Sequence, residues 1–140
     1  MGVTGFSHIG LSVSDAGRST GFYVQALGFE PGVRHDLDAG EAAADAPPLP
    51  VICQFLSKGD VQIALLQYAN AVGQAGPRPM HHLGIANIGL RVDAIEPVIE
   101  KILAHGGQVH RETFLDAPQG QFIHCSDPDG ARIELMRLAD

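Results

Sequence analysis

The sequence has no tryptophan, only two cysteines, and nine Lys and Arg against sixteen Asp and Glu, a formal charge of −7. Each shortage excludes something. The acidic balance argues against nucleic acid as a partner, because neutralising phosphates takes a basic stripe. Cys53 and Cys125 stand alone with no CxxC spacing, which removes a zinc knuckle and a thioredoxin-like motif. Both lie in apolar, strand-like surroundings and read as buried free thiols of a cytoplasmic protein. No apolar run approaches the ~18–20 residues of a membrane span, so no membrane partner is expected. The opening "MGVTGFSHIG" has neither a basic segment nor an apolar core, and no secretory signal is expected. What is present is apolar material enough for one ordinary domain: 140 residues, 45% hydrophobic.

The chain repeats itself. "FSHIGLSVSD" (6–15) recurs as "IANIGLRVDA" (85–94), with Ile, Gly, Leu and Val in the same order. "KGDVQIALLQ" (58–67) recurs as "PDGARIELMR" (128–137), which aligns Ile63 with Ile133 and Leu65 with Leu135. The first half has the longer spacing between its two strands, and the excess falls in "LDAGEAAADAPPLP" (37–50), rich in Ala, Pro and acids and read as a loop. Residues 6–13 alternate with period two and predict a strand. A helix follows, capped by Ser14 or Asp15 and stopped at Gly28. In the second half Ile95, Val98, Ile99, Ile102 and Leu103 form a helical stripe that ends at Gly106-Gly107, with Pro97 in the first turn. Strands are predicted over 29–35, 51–57, 61–68, 107–113, 121–126 and 131–137, with hairpin turns at "SKGDV" and "SDPDGA". The result is an α+β chain of two tandem βαβββ modules: module one 4–68, a linker 69–84, and module two 85–138, all within a single domain over 1–140.

Alternation also predicts the faces. Ile9, Leu11, Val13, Ile63, Leu65, Ile88, Leu90, Val92, Ile133 and Leu135 form apolar faces that pack under helices. The opposite faces carry His8, Ala64, Asn87 and Glu134, and two curved mixed sheets with helices outside would make a trough lined by those four. A one-residue register error would invert this.

On "SHIGLSVSD", "GFYVQALGFE", "GIANIGLRVDA" and "DPDGARIEL" the chain resembles the vicinal oxygen chelate superfamily, which includes glyoxalase I, methylmalonyl-CoA epimerase, extradiol dioxygenases, fosfomycin-resistance enzymes and bleomycin-binding proteins. The resemblance spans essentially the whole chain. It implies a metal ligand on the first and last strand of each module. His8 and Glu134 match that pattern. Asn87 stands where relatives place His and is at best a weak oxygen donor, and Ala64 removes a donor altogether. A divalent metal (Mg, Mn, Ni or Zn) would therefore rest on His8, Glu134 and weakly Asn87, a set better suited to a hard ion than to zinc or iron.

The expected activity is that of a glyoxalase- or epimerase-like lyase or isomerase, with Glu134 and His124 as the catalytic pair and a small molecule as substrate. A second reading is metal-independent ligand binding of the bleomycin-resistance kind. His124, in "QFIHCSD", lies across the hairpin from Glu134, and the same spacing that aligns Ile63 with Ile133 carries Gln54 onto His124. Gln54, Ala64, Arg91 and Met136 are the expected substrate wall. The resemblance also implies a homodimer. His35, His105 and His110 read as surface residues, and His81-His82 as part of the linker.

Overall fold

The computed structural model describes residues 1–38, 45, 50–73 and 77–140. The elements run β1 (Ile9–Ser12), α1 (Ala16–Leu27), β2 (Glu30–Leu37), β3 (Val51–Lys58), β4 (Val61–Tyr68), β5 (Ile88–Arg91), α2 (Ile95–Ala104), β6 (Gln108–Ala117), β7 (Gly120–Ser126) and β8 (Arg132–Leu138). They form two tandem βαβββ modules, each with a four-stranded mixed sheet: β1-β4-β3-β2 in the first, β5-β8-β7-β6 in the second. Two compact units result, one of Met1–Val24 with Gly28–Val72 and one of Gln25–Leu27 with Gly73–Asp140. No helix among the described residues is long and apolar enough to cross a membrane.

In the first unit, β1 pairs with β4 in parallel, Ile9 beside Ile63 and Leu11 beside Leu65. Ile63 and Leu65 are wholly buried, and burying such a side chain contributes about 1.5–3 kcal/mol. The predicted first strand was longer, over 6–13. Its far end holds, because Val13 N–H donates to Leu66 O. Phe6, Ser7 and His8 precede the ladder, so His8 is the residue before the strand and is exposed rather than mid-strand. Helix α1 begins at Asp15, whose carboxylate accepts the Arg18 N–H at 2.9 Å. It ends at Gly28, whose φ of 72° lets Phe29 N–H turn back onto Tyr23 O. Gln67 Oε1 accepts the Ala16 N–H at 2.7 Å, so this strand amide satisfies a helix-end donor.

In the second unit, β5 pairs with β8 in parallel and α2 packs on β6, β7 and β8. The helix contributes Ile95, Ile99 and Ile102, and the sheet Ile88, Ile123, Cys125, Ile133 and Leu135, all buried. Pro97 lies in the first turn of α2, as its missing N–H requires. Strand β6 runs four residues past its predicted end at 113, beyond an irregularity in its pairing with β7. Most of the segment read as a loop over 37–50 lies outside the described residues, as do positions 74–76 of the predicted linker; Leu37 itself closes β2.

Candidate functional site

The chemistry gathers on the face of the second sheet that points away from α2. Ile133 and Leu135 are fully buried and anchor β8, which turns Glu134 to the other side. The turn after β7 then decides which residue stands opposite. Asp127 is buried; its Oδ1 accepts the N–H groups of Asp129 and Ala131, and its own N–H donates to Ala131 O. This closed turn sets the register in which His124 faces Glu134 and Ser126 faces Arg132.

Glu134 is held from two sides. Asn87, the residue before β5, donates Nδ2–H to Glu134 Oε2 at 3.2 Å. His124 Nε2 stands 3.9 Å from Oε1, with side chains 15% and 26% exposed. That gap is too long for a hydrogen bond. Neither group is therefore tied to the other, and both stay available to a third molecule. Gly89 is the β5 neighbour of Glu134 and puts no side chain beside it. Burial lowers the His124 pKa below the ordinary imidazole value, Glu134 opposes this, and Arg132 and His110 add to it. His124 Nδ1 and Arg132 Nε are buried without a hydrogen-bond partner among the described residues.

His110, expected at the surface, is half-buried on this face as the direct β6 partner of His124, and its Nε2 is hydrogen-bonded to Ser126 Oγ. Sequence reading missed it because of a bulge. From Ala117 opposite Gly120 the β6–β7 hairpin runs regularly to Leu115 opposite Phe122, and a regular ladder would next bring Thr113 to His124. Instead the register shifts, and Thr113 bridges the gap with its hydroxyl, accepting the His124 N–H at 2.8 Å and donating to His110 O at 2.6 Å. Arg91 and Met136 are cross-strand neighbours on the same face, the first exposed and the second half-buried.

The remaining expected residues belong to the first unit. His8 is exposed, its Nδ1 hydrogen-bonded to Ser7 Oγ at 2.9 Å, and its ring meets Phe55 edge-on at 5.3 Å. Ala64 is 2% exposed and sits between Gly10 and Phe55. Gln54 is not the mate of His124. It pairs with Leu65, on the apolar side of the sheet, while Phe55 pairs with Ala64 as His124 pairs with Glu134. The Gly59-Asp60 turn of the first module is tighter than the Asp127–Ala131 turn of the second, so the repeat slips by one position between β3 and β7. The Gln54 amide donates to Gly32 O at 3.0 Å and to Phe55 O at 2.9 Å.

A divalent ion asks for several oxygen or imidazole donors that converge. Among the described residues no three His, Cys, Asp or Glu side chains do so. Asn87 presents an N–H to Glu134, and Ala64 presents a buried methyl. The described residues do not fit a resident metal. The thiols offer no alternative: burial raises the pKa of Cys53 and pushes Cys125 up to about 11.

Solved structures share this architecture at low identity. A glyoxalase family protein from Bacillus cereus superposes with a TM-score of 0.84 at 15% identity, covering 99% of this chain and 96% of its own. One from Enterococcus faecalis gives 0.70 at 22% identity, with 98% and 100% covered. The fosfomycin resistance protein FosX of Listeria monocytogenes, in complex with Mn(II) and sulfate, gives 0.66 at 18%, with 98% and 94% covered. These likenesses establish the fold alone. No curated protein matches the sequence significantly. The family model that describes the Glyoxalase/Bleomycin resistance protein/Dioxygenase superfamily matches residues 5–135, and the chain belongs to that superfamily.

Proposed function

We propose that the protein is a lyase or isomerase of the glyoxalase and epimerase type, which takes a proton from the carbon beside a carbonyl and returns one to carbon. The observation that carries this reading is the half-buried pair of Glu134 and His124, facing each other across β7 and β8 without a closed hydrogen bond. Asn87 occupies Glu134 Oε2, which leaves Oε1 to take a proton from the carbon beside the carbonyl. The electron pair moves to the carbonyl oxygen, and His124 gives that oxygen a proton. The resulting enediol, or enol from an acyl-CoA, collapses when His124 takes back a hydroxyl proton and Glu134 returns its proton to carbon, so no net charge accumulates. The step uses the imidazolium form of His124, and the lowered pKa makes that form a readier acid while shrinking its share at neutral pH.

FosX is described with Mn(II). The donors among the described residues do not fit such an ion, and the proton transfer above uses side chains alone. A homodimer is part of the same reading and is checked by light scattering. Ligand binding without turnover is a second reading, favoured by an open, mainly apolar cavity beside Phe55 in the first unit.

The test is proton exchange. The protein is incubated in D₂O with the hemithioacetal of methylglyoxal and glutathione, and separately with α-branched acyl-CoAs, and deuterium at carbon is read by NMR. Incorporation by the wild type, lost in Glu134→Gln, is expected from at least one substrate class. Exchange that survives in Glu134→Gln, or is absent from the wild type across both classes, would reject the proton-transfer reading.

A further inference from the structure

We propose that the open face of the first unit is a binding site for an uncharged aromatic group, seated against Phe55 and the bulge of β2. This names the ligand class for the binding reading given above, on which it rests, and is independent of the proton chemistry of Glu134.

The site is built by a local irregularity. The β2–β3 register shifts between Pro31 and Arg34, which lifts Gly32 and Val33 out of the ladder. The buried Gln54 amide holds Gly32 O and Phe55 O from beneath, so the shape of the bulge is fixed by two hydrogen bonds. A cavity of about 340 Å³ opens there, bounded by Gly32, Val33, His35 and Phe55. Gly32 adds no side chain to that wall, where a Cβ would meet Phe55 O at 3.4 Å and Phe55 Cβ at 3.8 Å. Val33 is 61% exposed at the mouth.

Three features select the ligand. The first is the ring system: His8 and His35 meet Phe55 edge-on, at 5.3 Å and 6.3 Å, and such a cluster offers faces and edges to a further ring. Next comes charge. Among the described residues no Asp, Glu, Lys or Arg lines the cavity, and the chain is acidic, so a charged ligand would be desolvated without a partner. Last, Ser57 and Gln62 add a hydroxyl and an amide to the lining, groups that both donate and accept. The size lies at the small end of ligand pockets, which run from roughly 300 to 1,000 Å³. A neutral single ring bearing a hydroxyl or carbonyl meets all three requirements. Ala64, the cross-strand partner of Phe55, sets a methyl rather than a charged group behind that wall.

The experiment titrates phenol and cyclohexanol, matched in size and each with one hydroxyl, into the full isotopically labelled chain and follows backbone amide shifts. Phenol is expected to bind more tightly and to move Val33, His35 and Phe55. Phe55→Leu should weaken phenol roughly 2- to 10-fold, the worth of one aromatic pair, and erase the preference over cyclohexanol. Val33→Asp, at an exposed position where folding is not at stake, should weaken phenol as well. Equal binding of the two probes, shifts confined to other residues, or unchanged phenol binding in Val33→Asp would overturn the proposal. Deuterium exchange at Glu134 is read separately, so either idea can fail alone.

Discussion

Glu134 and His124 are direct cross-strand partners whose side chains stop 3.9 Å apart, close enough to feel each other's charge and too far to share a proton. This has a measurable consequence for stability. In the folded protein burial lowers the His124 pKa, Arg132 and His110 lower it further, and Glu134 offsets only part of the shift. The unfolded chain therefore binds the proton more readily than the folded one. Stability is complete above the ordinary histidine value of about 6.5 and falls as pH drops through that value and on through the lower folded one. His124→Gln removes this component. In urea titrations from pH 8 down to pH 4, the wild type should lose more stability than His124→Gln. Parallel pH slopes would mean that His124 is not held neutral by its surroundings.

Gln54 makes the opposite case, a residue whose role follows from where its amide goes. Both of its donors hold backbone carbonyls at the β2 bulge. Gln54→Ala leaves Gly32 O and Phe55 O without those partners, and the expected cost is about 1–3 kcal/mol in urea denaturation. A residue that binds substrate would behave otherwise, weakening ligand binding with stability unchanged.

Gln54 also shows where sequence reading stops. The strands β1, β4, β5 and β8 and the apolar faces of β4 and β8 were legible, because Ile63, Leu65, Ile133 and Leu135 repeat with their spacing intact and alternation assigns their faces. The same logic put Glu134 on the open face. It failed one strand further on, at β3 and β7, where hairpins of unequal length shift the repeat by one position and exchange Gln54 for Phe55. It failed again at β6, where the bulge around Thr113 brings His110 to His124. A bulge inserts an unpaired residue that simple alternation does not anticipate, and here the Thr113 hydroxyl bridges the gap it leaves.

Ala64 tests the departure from the superfamily's metal pattern. Its methyl is 2% exposed, pressed between Gly10 and Phe55, and lies beside two fully buried residues on its own strand, Ile63 and Leu65. Ala64→Glu would force a carboxylate into that space. Removing such a group from water without a partner costs several kcal/mol, so the variant should melt well below the wild type in metal-free buffer. Among the described residues the wild type offers an added ion no convergent donor set, and its melting temperature should stay the same with 1 mM Mn²⁺ or with EDTA. A ligand that binds only the folded state raises stability by mass action, about 2.7 kcal/mol at a hundred times its Kd. An upward shift of the wild type with Mn²⁺, abolished by Glu134→Ala, would show that Glu134 holds a metal after all. The proton-transfer scheme would then need rewriting around a Glu134 that serves as ligand as well as base.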